Sequence, residues 1–350
     1  LSRSDSGGVD VIINTRENGK QTVRIGGRID NERNTQIGLD IIQENLFNIG
    51  DRESIRACGG IRNQYVEAKT EISRLLETNI TFSALGYYDR KKLNVFTDRK
   101  GLANDEFERI VDHEMLIERY GIRASLGTQI GRDGIFSAEL RSEKQRYYNI
   151  DSSAPPYYTI NTLKVGAIFD SEDRPEFARS GKLIRLSLET SLLQESSSVS
   201  FSKASFSYRT NISISGHTFR PSILFISADK TLPIPEMQSL GGDDSFVGMR
   251  EDEELGRQVF VGGFTYRYQL PFQVVFDTYL SLTYNIGKAW DVPEYIKFED
   301  LKHGLGATIA FDTPLGPAKL SWARSFYFRK DPAKAVLSPY LFSFSIGLKM

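Results

Sequence analysis

Apolar and polar side chains alternate at a strict period of two along nearly the whole chain. No other feature constrains the fold as much, because this period belongs to strands with one apolar and one polar face. Sixteen such segments can be read: Gln21–Asp30, Thr35–Phe47, Ser54–Arg62, Tyr65–Arg74, Ile80–Val95, Met115–Ile130, Gly134–Tyr148, Tyr158–Asp170, Lys182–Leu193, Val199–Ile214, Thr218–Ala228, Val259–Leu270, Gln273–Ile286, Gly304–Phe311, Ala318–Phe328 and Tyr340–Met350. Short turns such as Gly131–Asp133, Pro271-Phe272 and Asp312–Pro317 alternate with long connections at Thr97–Asp112, Asp291–Leu301 and Arg329–Pro339. Within Asn104–Arg119, the apolar residues Phe107, Ile110 and Val111 read as a short helix inside a long loop.

The faces decide between two all-β architectures. In the final segment Phe342, Phe344, Ile346, Leu348 and Met350 share one side, opposite Ser343, Ser345, Gly347 and Lys349. In Gln273–Ile286 the apolar residues Val274, Phe276, Leu280, Leu282 and Ile286 oppose Asp277, Ser281 and Asn285. Charges recur on the polar faces at Arg185, Glu189, Lys203, Arg209 and Arg267. A soluble sandwich of this many strands would have to protect its open edges. A closed barrel in a membrane has no edges and pairs every backbone group within lipid. Only every second residue then meets lipid, so hydropathy averages out, and no run reaches the ~18 apolar residues of a membrane helix. The 16 Tyr and 22 Phe suit aromatic girdles at the two interfaces. The expectation is an all-β chain: a 16-stranded antiparallel transmembrane β-barrel over residues 21–350, after a segment 1–20. Within that segment, Val9–Thr15 and the turn Glu17-Asn18-Gly19 look like the end of a preceding domain.

One stretch breaks the alternation. Leu240–Gln258, LGGDDSFVGMREDEELGRQ, is too polar and too Gly-rich at Gly241, Gly242 and Gly248 to be a strand. Loops of this length in compact folds are uncommon and usually functional. It reads as a loop folded back into the barrel lumen.

Other chemistry is sparse. A net charge of -1 argues against a nucleic-acid surface. Cys58, the only cysteine, lies on the inward face with Arg56 and Arg62 and reads as a buried structural thiol. Gly59-Gly60 reads as a packing or curvature feature. His113, His217 and His303 lack ligand spacing, so neither a metal nor another cofactor is expected. Asp170, Glu172 and Asp173 read as solvated turn carboxylates. No G-x-S-x-G nucleophile elbow occurs, so no enzyme activity is expected of this chain. With no Met and no leader at Leu1, the start reads as a processing boundary.

Four segments carry a resemblance. Leu240–Met249 resembles the lumen-inserted loop of the outer-membrane assembly and translocation barrels whose periplasmic modules are POTRA domains. Tyr284–Trp290, Asp312–Phe326 and Phe342–Met350 resemble that family's following strand, penultimate hairpin and terminal targeting strand. By this resemblance Val9–Gly19 looks like the last POTRA strand. The loop residues are Gly241, Gly242, Phe246, Val247, Gly248, Met249 and Arg250, facing Asn285 and Gly287; the targeting strand offers Phe342, Phe344, Ile346, Gly347, Leu348 and Met350. In the family a tip Arg and a strand Asp form a buried ion pair; here those positions hold Val247 and Asn285. Losing both partners is nearly neutral, whereas losing one strands a buried charge. Arg250, Glu251, Asp252 and Glu254 are either a substitute anchor or solvated charges.

The tip without Arg, together with Leu232–Gly242 and Asp312–Pro317, looks most like the barrels at the C-terminus of patatin-like phospholipases, a type V secretion arrangement. That resemblance implies a barrel that anchors and exports a fused N-terminal lipase passenger. Outer-membrane lipid, an adjoining POTRA domain, the barrel assembly machinery during biogenesis and possible homo-oligomer formation are the implied partners, with no nucleic acid. A weak seam is expected between Gln21–Asp30, which carries Gly26-Gly27, and Tyr340–Met350. The alternatives are an insertase that assembles other barrels, and a passive diffusion porin.

Overall fold

The computed structural model describes residues 2–3, 9–10, 20–75, 78–103, 105–192, 198–272, 275–330 and 333–347. The barrel strands, in chain order, are β1 Gln21–Asp30, β2 Asn34–Glu44, β3 Asp51–Gly60, β4 Asn63–Ile72, β5 Ile80–Asp98, β6 Arg109–Ile130, β7 Gly134–Asn149 and β8 Tyr158–Asp170. They continue as β9 Gly181–Ser191, β10 Ser202–Ile214, β11 His217–Ala228, β12 Gln258–Gln269, β13 Thr278–Trp290, β14 Lys302–Thr313 and β15 Gly316–Lys330. The last strand, β16, has two arms, Ala333–Leu337 and Leu341–Gly347. Both arms pair with β15, one residue out of register, so Ser338–Tyr340 is a bulge within one strand. Each strand is antiparallel to the next and β16 returns to β1, closing a 16-stranded barrel.

The alternation sorts cleanly onto two surfaces. Outward lie Val23, Ile25, Ile37, Ile122, Leu126, Leu186, Leu188, Leu305, Leu320 and Phe342, all exposed. Soluble monomers rarely expose a contiguous apolar patch above a few hundred Å²; here the apolar surface encircles the molecule and is the lipid-facing belt. Inward lie Gln36, Glu143, Gln145, Arg141, Asn211 and Arg267, all buried. Cys58 is also buried.

Closure is the thinnest strand-to-strand ladder of the barrel among the described residues. Ser345, Ile346 and Gly347 oppose Asp30, Ile29 and Arg28. The side chain of Asn31 extends the closure: its Nδ2 donates to the Phe342 carbonyl at 2.7 Å and its Oδ1 accepts from the Phe344 amide at 3.2 Å. Leu348, Met350 and residues 11–19 lie outside the described residues, so two of the targeting-strand positions and most of the expected leading strand do too. Of that leading segment, Val9–Asp10 pairs antiparallel with Ser2–Arg3.

Several boundaries differ from the sequence reading. Asn104–Arg119 holds no helix among its described residues. β6 already begins at Arg109, and Ile110 and Val111 pair with Thr97 and Phe96 beyond a register shift in β5 at Val95/Phe96. Arg329–Pro339 is not a long loop, because β15 runs to Lys330 and Ala333–Leu337 pairs back onto it. β13 starts at Thr278 and not at Gln273, so the connection after Gln269 is longer than Pro271-Phe272. The long-loop rim also carries tight turns at residues 31–33 and 61–62.

Gly347 sits at the closure with φ +108°, and a Cβ there would lie 1.9 Å from the Gly27 carbonyl oxygen. A non-Gly residue in that region costs about 1–3 kcal/mol before any clash is counted. Gly347→Ala should therefore lower the thermal unfolding midpoint of the detergent-solubilised barrel by several degrees. An unchanged midpoint would show that the closing ladder has slack.

Candidate functional site

The connection between β11 and β12, residues 229–257, turns into the lumen. It opens with the 3₁₀ turn Ile234–Glu236. A two-stranded ribbon, Gln238–Leu240 against Glu254–Gly256, then forms its stem. The sequence reading placed no strand in this stretch. The ribbon forms because Leu240 is drawn into an apolar cluster with Ile226, Phe246, Met249, Val259 and Val261. Beyond the stem, Gly241 and Gly242 turn the chain, and the Gly242 amide donates to the Met249 carbonyl at 2.9 Å.

The tip Phe246-Val247-Gly248 seats on the inner wall of β13–β15. The Val247 amide donates to Asn285 Oδ1 at 3.0 Å, and both residues are buried. Gly248 has φ +82°, and a Cβ on it would lie 2.3 Å from the Arg324 carbonyl carbon. Gly304 must also be glycine, since a Cβ there would lie 2.1 Å from the Val247 carbonyl oxygen. Backbone thus lies on backbone, beside the bulge where Ser325 N–H donates to Ser338 Oγ at 3.0 Å. Asn285 meets the loop; Gly287, on the same face, lies close against β12, where a Cβ would be 2.2 Å from the Phe260 carbonyl oxygen.

Charge pairs brace the loop to walls on all sides. Arg33 of the β1–β2 turn holds Glu251 through Nε at 2.8 and 2.9 Å. Lys91 of β5 reaches Asp252 at 2.9 Å. Lys302 of β14 reaches Glu254 at 2.6 Å, and the other Glu254 oxygen accepts the Ala289 amide at 3.2 Å. Arg250 is looser, 3.8 Å from Glu32 and above the Phe96 ring. The charges left open by the sequence therefore act as anchors. Asp243 accepts the Ser343 hydroxyl of β16 at 2.5 Å, which ties the tip to the closing strand.

The sequence reading missed the opposite brace. Glu236 takes a fork from Arg141 of β7, with Nη1 and Nη2 each at 3.1 Å, and Lys203 of β10 donates to the Glu236 carbonyl at 2.8 Å. Arg141 also donates to Glu189 at 2.7 Å. In the sequence Arg141 already has the strand carboxylates Glu143 and Glu189 within reach, so nothing marks it as a partner of the loop. At the other rim the β8–β9 turn folds inward too. Phe177 stacks on Tyr279 with ring centroids 4.3 Å apart. Glu172 is gripped by Arg209 and by Asn211 at 2.8 Å, so it is a buried structural ligand and not a solvated carboxylate. Asp173 likewise caps the Arg179 amide at 2.8 Å.

Electrostatics favours the ionised loop carboxylates. Burial pushes the Glu236 carboxyl up, but Arg141, with help from Arg119 and Lys203, more than reverses this and holds it below its usual range. Asp252 is likewise held low: burial opposes, and Lys91, Ser239 and Arg33 prevail. Glu253 moves the other way, because burial outweighs its neighbours.

A family model for the Omp85 superfamily domain matches residues 45–350. Among solved structures, BamA from Haemophilus ducreyi lacking POTRA domains 1–3 superposes with a TM-score of 0.73 at 12% identity, over 95% of this chain and 71% of that one. CdiB from Escherichia coli gives 0.67 at 12% identity over 95% and 63% of the two chains. CdiB from Acinetobacter baumannii gives 0.62 at 13% identity over 93% and 59%. This chain thus spans less than two thirds of either CdiB chain, and the likeness is one of fold. No curated protein sequence gives a significant match.

Two predictions follow from the braces. Asn285→Ala leaves the buried Val247 amide without an acceptor, a loss of about 1–3 kcal/mol, and should make Arg250 measurably more sensitive to trypsin. Unchanged cleavage would mean that Gly248 and Gly304 hold the tip without Asn285. Glu236 and Asp252 have lowered folded values, so their stabilisation is present above the ordinary carboxylate range and is lost as pH falls through the lowered values. Conductance in planar bilayers should stay flat from neutral pH down to about 5 and rise below about 4. A rise that begins near neutrality would assign loop release to other groups.

Proposed function

Because the chain belongs to the Omp85 superfamily, whose barrels reside in the bacterial outer membrane, we propose that it is a gated translocation barrel that anchors and exports a fused N-terminal patatin-type lipase. A role in translocation or assembly, in the broad sense, comes with the family. The export reading rests on one observation above the rest. The lumen is filled by a loop braced to both walls, and two of its ties run to the seam, Glu251 to Arg33 and Asp243 to Ser343. A loop held to the seam by polar side chains couples an opening of the seam to movement of the plug. The lipase passenger is supported by the resemblance of Leu232–Gly242 and Asp312–Pro317 to the patatin-linked barrels and by the neutral Val247–Asn285 contact.

An insertase is the second reading, favoured by the short ladder at Ser345–Gly347, where β1 leaves Gln21–Gly27 without a described partner strand on that side. A passive porin is disfavoured by the occupied lumen. Removing residues 243–254 should raise conductance in planar bilayers severalfold, and an unchanged pore would end the plug reading. The passenger has its own test. The native gene product from the outer membrane should exceed the 39.6 kDa of this chain by a lipase domain and hydrolyse phospholipid. A product of this mass without lipase activity would leave the plug intact and remove the passenger.

A further inference from the structure

Three arginines stack diagonally across adjacent strands on the inner wall. Arg209 of β10 stands opposite Ser222 of β11, and Arg220 of β11 stands opposite Thr265 of β12. Arg267 of β12 stands opposite Thr218, two residues from Arg220. Like charges this close on one sheet face destabilise each other unless something compensates. Compensation here is incomplete. Arg209 has Glu172, while Arg267, itself buried, donates to the Ala178 carbonyl and lies over the Phe177 and Tyr279 rings, with no ion pair among the described residues. Arg220 has no ion pair among the described residues, and neither has Arg185, which lines the same chamber.

The chamber holds about 420 Å³ and lies between the inward-folded β8–β9 turn and the tip of the lumen loop. Its own acids stand nearer to other partners than to Arg220. Glu176 and Asp244 both lie 3.8 Å from Lys319 of β15, and Asp243 takes the Ser343 hydroxyl. On this wall Arg220 and Arg185 make no close ion pair among the described residues, and with the hydroxyls of Ser222 and Thr265 they present donors to the chamber, the carboxylates Glu172, Glu176 and Asp244 acting on Arg220 only through space. Guanidinium forks match the oxygen geometry of phosphate-like anions.

We propose that this chamber is a binding site for a small oxyanion of the phosphate or sulfate class, held by Arg220 with Arg267, Arg209 and Arg185 around it. The site is independent of what the barrel exports. The probe is radiolabelled inorganic phosphate in equilibrium dialysis against the full 350-residue chain in nonionic detergent, at fixed ionic strength. Saturable binding near one equivalent is expected. Arg220→Gln should weaken it by about tenfold or more, the effect of losing charge-assisted hydrogen bonds. Arg185→Gln, at an exposed position, tests the site if the first variant does not fold, and should weaken binding by a smaller factor. Displacement by water-soluble glycerol phosphate identifies a free anion, whereas displacement only by phosphatidylglycerol in the micelle identifies a lipid headgroup. Absence of saturable binding to the native chain, or affinity unchanged in either folded variant, overturns the proposal.

Discussion

In hydrocarbon no water is available to pair a backbone N–H or C=O, and each unsatisfied group costs several kcal/mol. This constraint governs the rest of the molecule. It forces the strands into a ring, so the weakest ladder must still close. The described closure rests on Ser345–Gly347 against Arg28–Asp30, with the Asn31 side chain standing in for backbone at Phe342 and Phe344. The ring also fixes the problem that the lumen loop solves. Small barrels fill their interior with side chains, whereas a ring of 16 strands leaves space too wide for that. The long connection of residues 229–257 supplies the missing interior, with Leu240, Phe246 and Met249 packing against the apolar wall residues Ile226, Val259 and Val261.

How the loop is held follows from what a buried charge costs. A charged side chain buried at the tip without a partner would be strongly destabilising. Val247 and Asn285 avoid this, since a neutral amide accepts one backbone N–H and no charge is buried. The ionic attachments are placed instead on the flanks, at Glu236, Glu251, Asp252 and Glu254, each with its own cation on a different strand or turn. Ion pairs as buried as these return in attraction little more than they lose in desolvation. Spread over opposite walls, they fix the position of the loop more than they stabilise the barrel, and the glycine contacts at Gly248 and Gly304 set the distance of approach.

The barrel was legible because lipid holds the outer face apolar along the membrane-spanning part of the strands, as at Ile122, Leu126, Leu186 and Leu188, and so preserves the period of two. Boundaries were less legible where strands run past the membrane. β5 and β6 extend to Asp98 and back from Arg109 through mixed sequence, which mimicked a helix at Phe107, Ile110 and Val111. The loop showed itself through Gly241, Gly242 and Gly248, but its partners did not. Arg33, Lys91, Arg141 and Lys302 are ordinary inward or turn cations in the sequence, and only closure of the ring brings them around one loop. Glu172 was misread for the same reason: its partner Arg209 lies 37 residues away and faces it only when the β8–β9 turn folds inward.

The two inward elements meet at Lys319. From one rim the loop brings Asp244, from the other the β8–β9 turn brings Glu176, and both stand at 3.8 Å from the same ammonium group. Neither pair is close enough to be a tight salt bridge, so the junction is soft compared with the Glu254–Lys302 contact at 2.6 Å. Two independently rooted segments thus enter the lumen and approach each other at Lys319. Anything that displaces the loop meets firm resistance at its stem and flanks and little at Lys319. Lys319 lies on the β15–β16 wall, which also carries the bulge and leads to the shortest ladder of the barrel.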